Sequence, residues 1–297
     1  MRQKKILVTG ANGQLGKSLQ AVQPIFSDNC HFVFTDVDTL DITDKQTLMT
    51  KVHNLKADFI INAAAYTAVD KAESDVEKAY LLNETAVLNL AEVAESEGAF
   101  LVHVSTDYVF DGHSTLPYSP DSQTNPISVY GKSKLAGEQA ILQTNCRAAI
   151  IRTQWLYSQF GNNFVKTMLR LADSKPEIRV VNDQVGCPTL ALDLALFIME
   201  VVNNDYIVKG QEIYHFADQG QISWYDFAVE ILRLAHKNCP VIPISTQEYP
   251  TAATRPNFSV FDLSKAINDF NYMIPEWNES LEKTIHKIIH NYEHNIL

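Results

Sequence analysis

Tyr130 and Lys134 stand four residues apart in the run Tyr130-Gly131-Lys132-Ser133-Lys134-Leu135-Ala136-Gly137-Glu138. Residues at that spacing share one face of a helix, so phenol and ammonium point the same way. A free phenol titrates near pH 10. An adjacent ammonium stabilises the phenolate and draws the phenol toward working pH, as a general acid–base requires. An isolated Tyr-x-x-x-Lys is usually just an exposed helix pair, so its companions decide the matter. Ser105-Thr106-Asp107 closes an apolar run, and the carboxyl ends of such strands are where open α/β sheets bind ligands. Thr106 is placed there to hydrogen-bond the same reacting oxygen.

A second constellation is Gly10-Ala11-Asn12-Gly13-Gln14-Leu15-Gly16, which follows Ile6-Leu7-Val8 and opens a helical stretch. The first glycine allows the tight turn, the second lets backbone approach a pyrophosphate, and the third lets helix pack on strand. Phosphate would rest on amide N–H groups at the positive helix end. Asp36 ends the next apolar run about 20 residues on, where a ribose hydroxyl would be gripped. The pattern predicts a dinucleotide cofactor, NADH or NADPH. Asp36 repels a 2′-phosphate and no arginine follows it, which leans toward NADH. Asp41 and Ile42 either flank an adenine or lead into a helix capped at Thr43 or Asp44, with a buried isoleucine.

The elements that must position these groups alternate along the first half. Residues 6–8, 32–36, 59–62, 100–104 and 148–151 read as buried strands; 13–22, 47–54 and 76–97 read as amphipathic helices. Near-continuous apolar strands between helices predict an α/β fold: a Rossmann-type doubly wound parallel sheet. Residues 1–157 would form this NAD(P)-binding domain. Residues 158–297 would form mainly a smaller C-terminal α/β substrate lobe, with some segments returning to the sheet. Residues 111–126, rich in Ser, Pro, Asp and Thr, read as a long surface loop, and 184–189 and 250–257 as irregular. Helices are expected at 162–172, 191–202 and 224–235.

Composition narrows the function classes. At 297 residues, 46% hydrophobic and 20% charged, the chain can bury a sizeable core. Twenty-four Lys and Arg against 35 Asp and Glu leave −11, a balance that disfavours nucleic-acid and membrane-surface partners. The four cysteines lie far apart, which predicts neither disulfide framework nor zinc site but reduced thiols in a cytoplasmic protein. No apolar run approaches the roughly 18 residues of a membrane span, and the opening apolar stretch is too short for a signal peptide.

Taken with Asn62-Ala63-Ala64-Ala65-Tyr66-Thr67-Ala68-Val69-Asp70, Thr106-Asp107-Tyr108-Val109-Phe110-Asp111-Gly112, Arg152-Thr153-Gln154-Trp155-Leu156-Tyr157, Gly161-Asn162-Asn163-Phe164, Asp183-Gln184-Val185-Gly186 and Arg255-Pro256, the chain resembles the extended short-chain dehydrogenase/reductases. Within them it is similar to the dTDP-4-dehydrorhamnose reductases of polysaccharide biosynthesis. The resemblance implies NAD(P)H-dependent reduction of the C4 ketone of a dTDP-linked keto-deoxysugar, giving dTDP-L-rhamnose. It implies Tyr130 as proton donor, Lys134 as holder of the nicotinamide ribose and Thr106 as partner of the carbonyl oxygen. Gly13, Gln14, Leu15, Asp41, Ile42, Ala65, Tyr66 and Thr67 fall at cofactor positions, and Thr106, Asp107 and Trp155 at sugar positions. Asn163 and Arg255 would lie near the nucleotide diphosphate, Arg255 offering a planar fork for phosphate.

Three features depart from that pattern or stand outside it. Gln154 occupies a position usually held by serine. Leu192 replaces an acid with which some members bind Mg²⁺ between two subunits, so a metal is doubtful here and monomer and homodimer both stand. His286, His290 and His294 recur at four-residue spacing, yet flank an apolar stripe of Leu281, Ile285, Ile288 and Tyr292, as wet-side residues would. Trp224, Tyr225 and Phe227 read as packing aromatics. The competing functions are a nucleotide-sugar epimerase or dehydratase, the latter disfavoured by Tyr108 beside Asp107, and a non-catalytic regulatory subunit.

Overall fold

The computed structural model describes residues 2–294. Its centre is a six-stranded sheet in the order Gln211–His215, Ala148–Thr153, Phe100–Thr106, Phe59–Asn62, Lys4–Thr9, Cys30–Phe34, every neighbouring pair parallel. Parallel strands covered on both faces must be apolar throughout, and Ile6, Leu7 and Val8 are fully buried. Ile6 and Val8 face one layer with Leu15, Leu19, Leu194 and Phe197; Leu7 faces the other with Leu48, Val52, Leu90 and Val93.

The chain doubles back at the first strand, so the switch point lies between Lys4–Thr9 and Phe59–Asn62. The loops leaving those two strands carry Gly10–Gly16 and Ala65-Tyr66-Thr67, and a crevice at a switch point is where such sheets take ligands. The edge strand Gln211–His215 and the helix Ala191–Asn203, which packs on Gln14–Phe26, come from the second half of the chain. A separate core gathers Val165, Leu169, Phe227, Ile231, Leu281 and Ile285 around the paired strands Ile178–Val181 and Val241–Ile244.

Three expectations need correction. The stretch 76–97 is not one helix: Val76–Tyr80 passes through a π-helical turn, Leu81–Thr85, into Ala86–Glu97. The turn brings Asn83, fully buried, round to clamp the Tyr66 backbone, accepting from its N–H at 2.8 Å and donating to its carbonyl at 3.1 Å. Residues 184–189 are two short strands, Val185–Gly186 paired antiparallel to Ile222–Ser223 and Thr189–Leu190 paired with Leu156–Tyr157. The long loop is pinned rather than free, since buried Tyr118 stacks on Phe110 at 4.1 Å and exchanges backbone hydrogen bonds with Val260 and Asp262.

The last helix, Trp277–Glu293, buries Leu281, Ile285 and Ile288 and leaves His286 and His290 exposed. The four cysteines are free. No helix among the described residues is long and apolar enough to cross a membrane.

Candidate active site

Tyr130 and Lys134 open the helix Val129–Leu142, capped by Ser128, which accepts the Gly131 N–H at 3.1 Å. Gly131 is obligatory for the approach: a Cβ there would lie 2.2 Å from the Tyr108 carbonyl oxygen, in the turn Asp107–Val109. Further along, Glu138 receives Arg152 through Nη2 at 2.7 Å and Nε at 3.0 Å, and Ser105 also donates to it. All three are buried. This pair fastens the helix to the strands carrying Thr106 and Thr153, so the register of Tyr130 against Thr106 is set by the sheet.

Lys134, 2% exposed, donates from Nζ to the Val104 carbonyl at 2.7 Å and lies 3.4 Å from His103 Nε2. Behind it runs a buried polar line: Thr9 donates to Asn62 Oδ1 at 2.7 Å, and Asn62 Nδ2 reaches His103 Nδ1 at 3.0 Å. Burial brings the Lys134 ammonium down to about 8, the Glu138 carboxylate pulling the other way. Burial, then the Lys134 charge, keep His103 neutral.

Tyr130 is pushed up to about 12, chiefly by burial; the Thr106 hydroxyl draws it down and Asp107 raises it again. Burial thus acts against the acidification of the phenol expected from Lys134. The ammonium gives one of its three N–H groups to the Val104 carbonyl, and burial is the largest influence on the phenol. Tyr130 is a protonated donor at neutral pH. Tyr108 packs edge-on against it at 5.3 Å. Thr106 donates to Asp107 Oδ1 at 3.0 Å and accepts the Tyr108 N–H at 3.2 Å.

The glycine loop has the shape its spacing predicts. Gly10 sits at φ +68°, with the Ala63–Ala64 backbone 2.6 Å from any Cβ, and a Cβ on Gly16 would lie 2.2 Å from the Gly10 carbonyl. Gly13 by contrast meets nothing closer than 3.4 Å, which leaves its backbone open to a phosphate. Asp36 braces this loop, accepting the Asn12 N–H at 2.8 Å. The residues present fit a dinucleotide. Leu15 is buried in the sheet-facing layer and Ala65 half-buried beside exposed Thr67. Exposed Asp41 accepts the Thr43 hydroxyl at 2.7 Å, Asp44 caps the next helix, and Ile42 is buried in the core.

The substrate-side residues separate into two groups. Asn163 caps the helix Phe164–Ser174 and donates to Gln14 Oε1 at 3.0 Å and the Ser158 carbonyl at 2.8 Å, so it belongs with the glycine loop. No hydrogen bond joins it to Arg255, which holds Asp70 through both nitrogens at 3.1 and 2.7 Å. Trp155 takes the left-handed conformation, φ +46°, and stacks on Trp224 at 3.6 Å with the rings 13° apart. Trp224 and Arg255 help line a cavity of about 430 Å³ in the second lobe. Trp224 packs as the sequence predicts, but one of its partners is Trp155, a contact between distant segments that spacing does not reveal. Asn83, Glu138 and Arg152 were missed similarly, their one signal being polarity inside apolar stretches. Leu192 packs as an apolar side chain and offers no ligand oxygen, so the Mg²⁺ arrangement does not fit; no group of three or more His, Cys, Asp or Glu among the described residues could hold a metal ion.

The RmlD substrate binding domain family matches residues 4–289. A curated dTDP-4-dehydrorhamnose reductase from Aggregatibacter actinomycetemcomitans is 41% identical over 290 residues, spanning 94% of this chain and 97% of that protein. The chain belongs to the dTDP-4-dehydrorhamnose reductase family. It is an oxidoreductase of that family, with its Rossmann-type fold. A family member from Clostridium acetobutylicum superposes with a TM-score of 0.90 at 42% identity, covering 95% of this chain and 98% of that one. A reductase of the family from Bacillus anthracis, solved in complex with NADP, gives 0.91 at 37% identity over 96% and 100% of the two chains. A dTDP-glucose 4,6-dehydratase from Streptomyces venezuelae, 17% identical with a TM-score of 0.83, shares the fold alone.

Proposed function

We propose that this chain reduces the C4 ketone of dTDP-4-dehydro-L-rhamnose to dTDP-L-rhamnose with NADH or NADPH. The observation that carries the mechanism is the buried, protonated Tyr130 beside Thr106, at the carboxyl edge of a sheet whose switch point bears the glycine loop. The nicotinamide, when bound, supplies the hydride to C4. Tyr130 gives its proton to the forming alkoxide oxygen, and Thr106 supports that oxygen. Lys134, already oriented by Val104 and His103, would hold the ribose, and its positive charge offsets the phenolate left on Tyr130 when the proton departs. Gly10, Asn12, Gly13, Gln14, Leu15 and Gly16 cradle the pyrophosphate, Asp36 the ribose, Asp41 and Ile42 the adenine side, and Ala65-Tyr66-Thr67 the far edge. Asp107 and Trp155 contact the sugar, and Arg255 exchanges Asp70 for the diphosphate. Asn163 supports the glycine loop instead.

Residues 1–157 serve as the cofactor domain and 158–297 mainly as the substrate lobe of a cytoplasmic monomer or homodimer without nucleic-acid or membrane partners. The reading is supported by the full-length family match and by the NADP held by a relative. The test is a coupled assay from dTDP-glucose, following NADH and NADPH oxidation and the stereochemistry at C4. The expected product is dTDP-L-rhamnose; an unreduced ketone or the C4 epimer would refute the assignment.

A further inference from the structure

Trp155 is held in a conformation that a tryptophan does not adopt unaided. Its φ of +46° lies in the left-handed region, which a bulky side chain occupies only where its surroundings impose it. The adjoining chain supplies that constraint. Thr153, two residues before it, stands opposite Thr106 in the sheet, and Leu156–Tyr157 after it pairs with Thr189–Leu190. The Thr189 N–H donates to the Trp155 carbonyl at 3.3 Å, and the Cys187 N–H donates to Gln154 Oε1 at the same distance. The backbone therefore leaves the sheet at Trp155, two residues beyond the position paired with Thr106.

The half-buried indole has one face covered. The rings of Trp155 and Trp224 lie 3.6 Å apart, centre to centre, and 13° from parallel. Aromatic pairs left to themselves prefer offset or edge-on arrangements with centres roughly 4.5–7 Å apart, so this overlap is imposed from outside the pair. Gly186 makes the room: a Cβ there would lie 2.8 Å from Trp155 Cε2. Trp224 opens the helix Trp224–Leu234, whose start is fixed because Ser223 accepts the Asp226 N–H at 3.1 Å and donates its own N–H to Asp226 Oδ2 at 2.9 Å. Gly186 pairs with Ile222, two residues before Trp224. The short ribbon that clears space for Trp155 thus also delivers Trp224 to it. Phe164 packs against Trp224 as well, at 4.6 Å.

We propose that Trp224 is a positioning residue: as a flat backing it holds Trp155 in its left-handed conformation, so that the indole stands ready as one wall of the sugar pocket at the sheet edge that carries Thr106. This rests on Trp155 being the sugar contact proposed above. The C–H face of a hexose ring loses its water against such a plane, while its hydroxyls find polar partners elsewhere. Without the backing, Trp155 relaxes toward the right-handed region and its indole leaves that edge. A misplaced wall of this kind costs turnover of the sugar and leaves the cofactor untouched.

The test is a double-mutant cycle in the intact enzyme, read as kcat/KM for dTDP-4-dehydro-L-rhamnose. Trp155→Leu and Trp224→Leu keep apolar bulk but no aromatic plane. Each is expected to lose about tenfold, with the NADH Kd, read by nucleotide fluorescence, near wild type. Because Trp224 acts through Trp155, the double variant should lose no more than Trp155→Leu alone; losses that multiply would overturn the proposal. Trp224→Phe restores a flat backing and is expected within about threefold of wild type. Should Trp224→Leu not fold, that variant decides: a loss within this range supports the backing role and a larger one overturns it. The pair is also read without substrate, by circular dichroism of the free protein. Coupled indoles give a couplet, expected in wild type and lost alike in Trp155→Leu and Trp224→Leu; a wild-type spectrum without it would remove the stack. A wild-type enzyme that does not reduce the keto-sugar refutes the proposed reaction and this reading of Trp155 with it. Reduction accompanied by multiplying losses refutes only the role of Trp224, so the two failures are distinguishable.

Discussion

The polar groups behind Tyr130 and Lys134 are buried and bonded to distant parts of the sheet, whereas Arg255, at the second-lobe cavity, and its partner Asp70 are partly exposed and bonded to each other. Glu138, Arg152, Asn62 and His103 are each at most 2% exposed. Asp70 and Arg255 leave 46% and 24% of their side chains in water, and Trp155 finds its partner in Trp224. Chemistry that must be repeated identically is held by contacts that cannot rearrange cheaply, since breaking a buried pair strands a charge. Recognition of a ligand that must arrive and leave is entrusted to contacts that exchange at small cost.

The contrast predicts a ranking of substitutions. Tyr130→Phe removes the donor and little volume: kcat should fall on the order of 10²–10⁴-fold while the cofactor Kd, read by nucleotide fluorescence, stays near wild type. Near-normal kcat would take the acid role from Tyr130. Glu138→Ala leaves Arg152 buried and unpaired, and should cost roughly 3–5 kcal/mol of stability in denaturant unfolding. A loss below about 1 kcal/mol would mean the helix is not fastened there.

Lys134 gives a pH signature. Its folded value of about 8 lies below the ordinary 10.5, so between those limits the unfolded chain holds more protons and stability contributed by this group rises with pH. Cofactor binding needs the charged form and should weaken above pH 8, with Lys134→Met showing a flat profile. A wild-type Kd constant from pH 7 to 9.5 would contradict this. On the exchangeable side, Asp70→Asn frees the Arg255 fork and should tighten dTDP binding about two- to fivefold by calorimetry. Weaker binding would show that Asp70 positions Arg255 rather than competing for it.

The same division explains what the sequence could tell. The glycine loop, the Tyr130–Lys134 face and the strand ends are local patterns, legible because turn and helix geometry impose their spacing. Asp70 and Arg255 lie 185 residues apart, and Glu138 and Arg152 meet only once helix and strand are docked. The direction taken by the Lys134 ammonium was also out of reach, because it depends on a carbonyl of the fourth strand. Spacing told which side chains share a face; it did not tell that burial outweighs the neighbouring charge at Tyr130. Residues 184–189 read as a loop because each short strand owes its existence to a partner elsewhere in the chain.

The central claim is that burial, and not an adjacent ammonium, governs the phenol of Tyr130 before ligands bind. The direct measurement is an ultraviolet pH titration of the unliganded protein, wild type minus Tyr130→Phe, which isolates one tyrosine among the twelve. The account predicts no tyrosinate difference up to about pH 10. A difference band rising between pH 6 and 8 would contradict it.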